Sequence, residues 1–256
     1  MSRLNDSCVV VTGGASGIGA ATADRFRRDG ETVVILDRRL VPAQAFAEEI
    51  GAIAIELNVA DDRKVAEVID KIETSIGPIG VLVNCAGPLQ NTDRPQDLPM
   101  TVWDRIVGVH LRGTYRVSVE VGLHMVARRR GSIVSVASVM GMRSGPLHAY
   151  GPAKAGLINL MEGLAAEWGP SQVRVNTVSP GFVETPGLHR GIDEKVMELE
   201  HMRSSSALQR TLQPAEVAAA IHFLASDAAS GITGVNLPVD AGFLVAGSWN
   251  AYGGLR

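Results

Sequence analysis

Short apolar runs rich in β-branched residues alternate with segments of helical length along almost the whole chain. Strands that are buried on both faces give near-continuous apolar runs, and helices between successive strands are typical of parallel sheets. Right-handed crossovers then cover both faces of the sheet with helices. The alternation predicts an α/β fold with a doubly wound, mostly parallel, Rossmann-like sheet of about seven strands. The predicted strands are 8–13, 31–37, 52–57, 79–87, 131–138, 173–180 and 234–240, and the helical segments include 17–29, 61–76, 100–128, 149–168 and 214–226.

No repeat, low-complexity stretch or linker divides the sequence, so we expect one domain over residues 1–256. The weakest periodicity lies in 186–212, between two predicted strands. An insertion at the carboxyl end of a sheet strand is well placed to cover a ligand crevice. We therefore expect 186–212 to be a mobile segment that covers the substrate.

The charge and cysteine content narrow the class of partner and the compartment. The net charge is −3, and the arginines at 128–130 suit the end of a predicted helix better than a nucleic-acid surface, because no wider basic stripe accompanies them. No run approaches the roughly eighteen apolar residues of a membrane span. Cys8 and Cys85 lie in apolar strands without metal-ligand spacing, which predicts reduced thiols and no metal site. We expect a soluble cytoplasmic protein that binds neither nucleic acid nor membrane.

The stretch VVVTGGASGIGAA follows the first predicted strand and opens a helix. Glycine is required where the backbone takes unusual angles or approaches a phosphate closely, and a helix N-terminus offers free amides and a positive dipole end. Tight turns also use glycine, but this position in an alternating chain favours a dinucleotide site. Gly13, Gly17 and Gly19 are its predicted glycines.

Asp37 ends the second predicted strand, eighteen residues after Gly19. A carboxylate at this place can accept both ribose hydroxyls and would repel a 2′-phosphate, which favours NAD over NADP. Arg38 and Arg39 follow directly, and either could instead meet a 2′-phosphate. The residue could also be a solvated turn aspartate.

Six motifs occur in one order over almost the whole chain, and in that order the chain resembles the classical short-chain dehydrogenase/reductases. They are TGGASGIG at 12–19, NCAG at 84–87, Ser138, YGPAK at 150–154, PGFVET at 180–185 and VDAG at 239–242. The resemblance implies a nicotinamide cofactor, a small-molecule substrate and a homo-oligomer, a tetramer or a dimer, in which apolar C-terminal tails meet neighbouring subunits.

The resemblance also assigns cofactor contacts residue by residue. The cofactor turn would be formed by Gly13, Ser16, Gly17, Ile18 and Gly19. Asp37 would hold the adenosine ribose, and Asn58 and Val59 would flank the adenine, where the family often has Asp-Val. The middle of the cofactor would pass Asn84, Ala86 and Gly87. The nicotinamide end would contact Pro180, Gly181, Val183 and Thr185.

Tyr150 and Lys154 would be the catalytic pair. Residues four apart share a helix face, and Pro152 is tolerated in a first turn. A tyrosine of pKa about 10 is a poor base, but a nearby ammonium and a cationic nicotinamide favour the phenolate. By resemblance, Tyr150 removes the hydroxyl proton during alcohol oxidation, Ser138 holds the substrate oxygen, and Lys154 also binds the nicotinamide ribose.

Two departures from the family pattern limit this assignment. His110 stands where the family usually places an asparagine that holds a water in a proton path. The histidine could hold a similar water, titrate as a relay, block the water, or simply be satisfied by backbone. Ser138 precedes Tyr150 by twelve residues where thirteen is more usual, which requires a shorter loop.

The sequence as a whole favours an NAD-dependent oxidoreductase that interconverts a secondary alcohol and a ketone of a small or medium metabolite. Two alternatives stay open. One is an NADP-preferring reductase of the same fold. The other is a nucleotide-binding regulator that has lost catalysis, which the intact Tyr150 and Lys154 disfavour and His110 favours.

Overall fold

The computed structural model describes residues 7–193, 198–252 and 254. Seven parallel strands form one sheet in the order β3-β2-β1-β4-β5-β6-β7. They are β1 (Cys8–Thr12), β2 (Thr32–Asp37), β3 (Ile53–Glu56), β4 (Ile79–Asn84), β5 (Gly131–Val136), β6 (Val173–Pro180) and β7 (Asn236–Val239). The predicted fold class is confirmed.

Helices fill the connections between strands, and one short helix follows the last strand. They are α1 (Gly17–Arg28), α2 (Leu40–Ile50), α3 (Asp62–Ser75), α4 (Met100–Val107), α5 (Thr114–Arg128), α6 (Tyr150–Trp168), α7 (Pro186–Asp193), α8 (Leu199–Ser204), α9 (Pro214–Ala225) and α10 (Phe243–Ala246). Short 3₁₀ turns cover Val139–Gly141, Gly169–Ser171, Asp227–Ala229 and Gly247–Tyr252. No helix among these described residues combines the length and apolar character needed to cross a bilayer.

Each face of the sheet has its own core. Alternate strand residues point to opposite faces, so Val10 and Val34 pack on one side while Val9 and Val33 pack on the other. The first core takes its helical residues from α3, α5 and α6, and the second takes them from α1, α2 and α9. This is the two-sided cover that continuous apolar strands require.

The expected single helix over 100–128 is wrong in one respect. Between α4 and α5 the chain widens into a π-helical turn, Gly108–Gly113, which contains His110. A Cβ at Gly113 would lie 2.8 Å from the Val59 carbonyl oxygen, so this turn packs closely against the loop that follows β3. Single π-helical turns inside longer helices are frequent at functional sites.

The strand order reverses direction at β1, whose neighbours are β2 and β4. In open α/β sheets, ligands bind at such a switch point, outside the carboxyl ends of the strands. Asp37 and Asn84 end β2 and β4, and Pro180 ends β6. The predicted site residues therefore lie together at the carboxyl ends of the strands. Residues 194–197 of the predicted covering segment lie outside the described residues; on either side, α7 and α8 are short helices.

Candidate active site

The glycine turn leaves room for backbone to approach backbone. Gly13 and Gly17 have positive φ angles of 65° and 56°, which L-residues with side chains rarely adopt. A Cβ at Gly13 would lie 2.7 Å from the Ala86 Cα, and one at Gly17 would lie 3.1 Å from Thr185 Cγ2. The glycines thus let three separate segments meet at the start of α1, where Ser16 occupies the N-cap position without a side-chain cap.

The end of β1 holds the NCAG turn directly. Thr12 Oγ1 accepts hydrogen bonds from the amides of Cys85 and Ala86, at 3.1 and 3.2 Å. Asn84 is buried, and its Nδ2 donates to the hydroxyls of Ser118 and Ser135 at 3.0 Å each. The Asn84 side chain therefore braces the sheet against α5 and the next strand.

Asp37 lies at the glycine turn with 7% of its surface exposed. Its carboxylate accepts from the Ala15 amide at 3.3 Å and from the Arg39 amide at 3.0 Å. The Arg39 guanidinium lies 3.8 Å from Asp37 Oδ1 and donates to Ser16 Oγ at 3.4 Å. The acid is fixed in position, and one of the two arginines that could meet a 2′-phosphate is drawn toward it.

Two further segments lie at the carboxyl ends of the strands, one after β3 and one after β6. Asn58 is exposed, and its Oδ1 accepts from the Ala60 amide at 3.2 Å, while the adjacent Val59 is buried. After β6, Gly181 donates to the Val239 carbonyl, and Thr185 Oγ1 accepts from the Leu188 amide at 3.2 Å to open α7. Val183 forms a β-bridge with Leu212, so the chain just after β6 lies beside the last residue of the covering segment 186–212.

Tyr150 and Lys154 lie one turn apart at the start of α6, with Lys154 Nζ 5.5 Å from the centroid of the phenol ring. Lys154 is buried and donates to the Val136 carbonyl at 2.6 Å. Burial lowers the pKa of Lys154 to about 8, because the charged form loses solvation. Burial raises the pKa of Tyr150, and a hydrogen bond with the Ser138 side chain opposes that rise.

Ser138 reaches Tyr150 across the shortened loop. It follows β5, is buried, and its Oγ accepts from the Met140 amide at 3.1 Å at the start of a 3₁₀ turn. That compact turn takes up the missing residue of the spacing and leaves the Ser138 hydroxyl near enough to the Tyr150 phenol to lower the pKa of that phenol. The structure therefore brings Ser138, Tyr150 and Lys154 together.

His110 completes the cluster from the π-helical turn. Its ring lies 5.0 Å from the Tyr150 ring at an interplanar angle of 90°, and its Nε2 is 2.8 Å from the Pro88 carbonyl oxygen. Because a carbonyl only accepts, Nε2 carries the hydrogen and Nδ1 is the acceptor of the neutral ring. Nδ1 has no hydrogen-bond partner among the described residues. Burial, reinforced by the Lys154 charge, lowers the pKa of His110 to about 3.

Gln90 has a role here that its local sequence does not indicate. It is 5% exposed, and its Oε1 accepts from the amides of Ala149 and Tyr150 at 3.0 and 2.8 Å. Its partners are 59 and 60 residues away, so no local spacing could have indicated the contact.

Two cavities lie at the covering segment. One of about 470 Å³ contacts Glu184, Arg203 and Arg210, but Arg210 forms a bidentate salt bridge with Glu216 at 2.7 and 2.8 Å. The other, of about 170 Å³, lies between α8, α10 and the loop after Ser138. Neither is lined by Tyr150, so cavity size alone does not mark the cluster of Ser138, Tyr150 and Lys154.

The cluster fits the dinucleotide that the resemblance implies. Backbone atoms of Ala86 crowd the position of Gly13, the Thr185 side chain lies against Gly17, and the buried carboxylate of Asp37 stands beside the turn that opens α1. Tyr150 and Lys154 lie at the carboxyl end of β5, on the same side of the sheet as the glycine turn. These are the donors and the close approaches that a pyrophosphate and a ribose require.

The chain is similar to known proteins over almost its whole length. A family model described as enoyl-(acyl carrier protein) reductase matches residues 13–244. The chain is 36% identical to the 3-oxoacyl-(acyl-carrier-protein) reductase FabG of Thermotoga maritima, covering 95% of this chain and 100% of that protein. It is 33% identical to the NAD-dependent glycerol dehydrogenase of Listeria innocua, covering 95% and 96%.

Among solved structures, one from Brucella melitensis 16M described as ribose-5-phosphate isomerase is 50% identical, with a TM-score of 0.97. The match covers 99% of this chain and 98% of that one.

Proposed function

The chain belongs to the classical short-chain dehydrogenase/reductase family of nicotinamide-dependent oxidoreductases acting on alcohols and ketones, and we propose that it is an NAD(H)-dependent member. Its substrate would be a secondary alcohol, or the corresponding ketone, in a small or medium metabolite. The observation that carries the proposal is the convergence of Ser138, Tyr150 and Lys154 with the glycine turn at one edge of the sheet.

The preference for NAD is supported by Asp37. Its carboxylate is held at the glycine turn by two amides, where it can accept from ribose hydroxyls and would repel a 2′-phosphate. Arg39, one of the two arginines that could favour NADP, is engaged by Asp37 and Ser16. The Listeria relative described as NAD-dependent supports the same preference.

Each polar side chain of the cluster has a distinct proposed task. Tyr150 takes the proton from the carbinol oxygen during oxidation and returns it to the carbonyl oxygen during reduction. Ser138 hydrogen-bonds to the same substrate oxygen and to the phenol, and so holds in place the two oxygens between which the proton moves. Lys154 is held by Val136, stabilises the phenolate, and binds the nicotinamide ribose. When bound, the nicotinamide accepts or donates the hydride at C4.

His110 acts in this proposal as a neutral hydrogen-bond acceptor. Its low pKa excludes a cationic ring at neutral pH, and its Nε2 is already committed to Pro88. The remaining Nδ1 lone pair is available to a water or an ammonium, as an amide oxygen would be. The role of the family asparagine is thereby kept, without a titrating relay.

The remaining proposals concern the role of 186–212, the cellular location and the oligomeric state. We propose that 186–212 covers the substrate, because Val183 and Leu212 anchor its two ends side by side. The other finer expectations are a cytoplasmic location, which the free thiols of Cys8 and Cys85 support, and a homo-oligomer. Apolar side chains exposed on α10 and just beyond it, Val245 and Trp249, support self-association.

An isomerase acting on ribose 5-phosphate is a second candidate, because the Brucella relative carries that description. Such a reaction moves protons between adjacent carbons and needs no nucleotide. The glycine turn and Asp37 have no task in it.

A cofactor and substrate screen tests the proposal. Secondary alcohols and polyols, glycerol among them, are offered with NAD⁺ or NADP⁺, and ketones with NADH or NADPH, while nicotinamide absorbance is followed. We expect turnover that is faster with NAD(H). Nucleotide binding without turnover across the panel would instead favour a regulator, and conversion of ribose 5-phosphate without nucleotide would favour the isomerase.

A further inference from the structure

The catalytic helix α6 begins without a capping side chain of its own. Its N-cap residue, Ala149, has no side-chain oxygen, and its backbone angles of −99° and −41° are already near-helical. The first amides of a helix lack intrahelical acceptors, and leaving buried amides unpaired costs about 1–3 kcal/mol each. Ala149 is fully buried, so water cannot serve in place of a cap there.

Gln90 supplies the missing acceptor from another part of the chain. One oxygen, Oε1, accepts from the amides of both Ala149 and Tyr150 at 3.0 and 2.8 Å. The next amide, that of Gly151, is already satisfied by the Leu147 carbonyl. The amide of the catalytic tyrosine itself therefore depends on Gln90.

Gln90 lies three residues beyond Gly87, in the segment that leaves the NCAG turn. The same segment holds the Pro88 carbonyl, which accepts from His110 while the His110 ring packs edge-on against the Tyr150 phenol. Residues 87–90 thus hold Tyr150 twice, by its backbone through Gln90 and by its ring through His110. The Thr12 hydroxyl fixes the NCAG turn, from which this segment leaves, to the end of β1.

We propose that Gln90 is a positioning residue, which couples the place of the Tyr150 hydroxyl to the NCAG turn. The inference rests on the proposed function, because it assumes that Tyr150 is the proton-transfer group. Misplacing a reacting group by about 1 Å can cost roughly a hundredfold in rate. Loss of the Gln90 contact should therefore lower kcat while leaving nucleotide binding near its parent value.

Three variants separate positioning from general stability. Gln90→Met keeps the length of the side chain and removes the acceptor. Gln90→Glu keeps an acceptor oxygen, and it breaks no donated bond, because Gln90 Nε2 has no partner among the described residues. Gln96→Met makes the same change at an exposed glutamine of the same loop and is the matched control.

We expect Gln90→Met to lower kcat by about ten- to a hundredfold at a temperature where the variant remains folded. Its NADH dissociation constant, measured by fluorescence titration, should stay within about twofold of the parent. Gln90→Glu should recover most of kcat. Its carboxylate, ionised by two amide donors, should raise the pKa of Tyr150 and shift the midpoint of the oxidation pH profile upward. Gln96→Met should match the parent in every measurement.

The outcomes distinguish the inference from the function on which it rests. If the parent turns over no alcohol or ketone, the proposed function fails first. If the parent is active and folded Gln90→Met keeps the parent kcat, the positioning role is wrong. If Gln90→Met does not fold, the Glu variant decides: recovered turnover with an upward pH shift supports the role, and an unshifted profile overturns it.

Discussion

The His110 ring stands perpendicular to the Tyr150 ring, 5.0 Å away, and donates from Nε2 to the Pro88 carbonyl. A histidine in this place is held in one tautomer by its backbone contact and kept neutral by burial. The departure from the family asparagine therefore preserves a hydrogen-bond acceptor beside Tyr150, although it changes the shape of the side chain.

Neutral His110 should make folding stability depend on acid. Its pKa is about 6.5 when unfolded and about 3 when folded, so below pH 6.5 the unfolded chain takes up a proton that the folded chain refuses. Stability should fall as the pH decreases from 6.5 towards 3, by about 2 kcal/mol from this residue at pH 5. Urea unfolding of the parent and His110→Asn at pH 7.5 and pH 5 measures it. The asparagine variant should lose less stability on acidification, and equal losses would contradict the assignment.

Tyr150→Phe should retain nucleotide binding and lose most turnover. The substitution removes the hydroxyl that transfers the proton while keeping the ring that packs against His110. General acid–base groups contribute about 10²- to 10⁴-fold, so kcat should fall by at least about a hundredfold. Steady-state kinetics and NADH titration provide the two readouts. Tyr115→Phe, which changes an exposed phenol on α5, is the matched control and should keep the parent rate. Parent turnover in the Tyr150 variant would remove the proposed base.

The fold was predictable because its strands are continuous apolar runs. Predicted and observed strand bounds differ by three residues or fewer, and β6 coincides with its predicted range. The point at which a helix changes its hydrogen-bonding pattern is less clearly indicated by the sequence. The π-helical turn at 108–113 interrupts a segment whose sequence reads as one helix, and Gly113 of that turn packs against Val59, which lies outside the segment.

The site was predictable where its chemistry depends on spacing along one element. Tyr150 and Lys154 lie four apart on a helix, so their proximity follows from the helical repeat. The contacts of Lys154 with Val136 and of Gln90 with Tyr150 join residues 18 and 60 positions apart. Such contacts depend on how the elements pack, which no local pattern in one sequence specifies.

Asp37→Asn should weaken the discrimination between cofactors. The amide keeps an acceptor oxygen for the ribose but loses the charge that repels a 2′-phosphate, and Arg39 is released from its partner. The ratio of kcat/KM for NAD⁺ to that for NADP⁺ should fall by about tenfold, equal to about 1.4 kcal/mol. Asp97→Asn, at an exposed acid remote from the glycine turn in sequence, should leave the ratio unchanged. An unchanged ratio in the Asp37 variant would contradict its proposed role.

Gly87→Ala should damage the site through one neighbour, His110. A Cβ at Gly87 would lie 2.5 Å from Nδ1 and 2.9 Å from Nε2 of the imidazole, so the ring must move and its contacts with Pro88 and Tyr150 must change. Overpacking of this kind costs about 1–3 kcal/mol, and kcat should fall with it. Gly163→Ala is the matched control, because nothing lies within 4 Å of that added methyl group. It should be neutral or stabilising by up to about 1 kcal/mol, since alanine favours a helix more than glycine does.

In a His110→Ala background the ring is absent, so the cost of Gly87→Ala should fall by at least about 0.5 kcal/mol. Urea unfolding of the four proteins of this cycle measures the coupling, and strictly additive free energies would show that the glycine is required for some other reason.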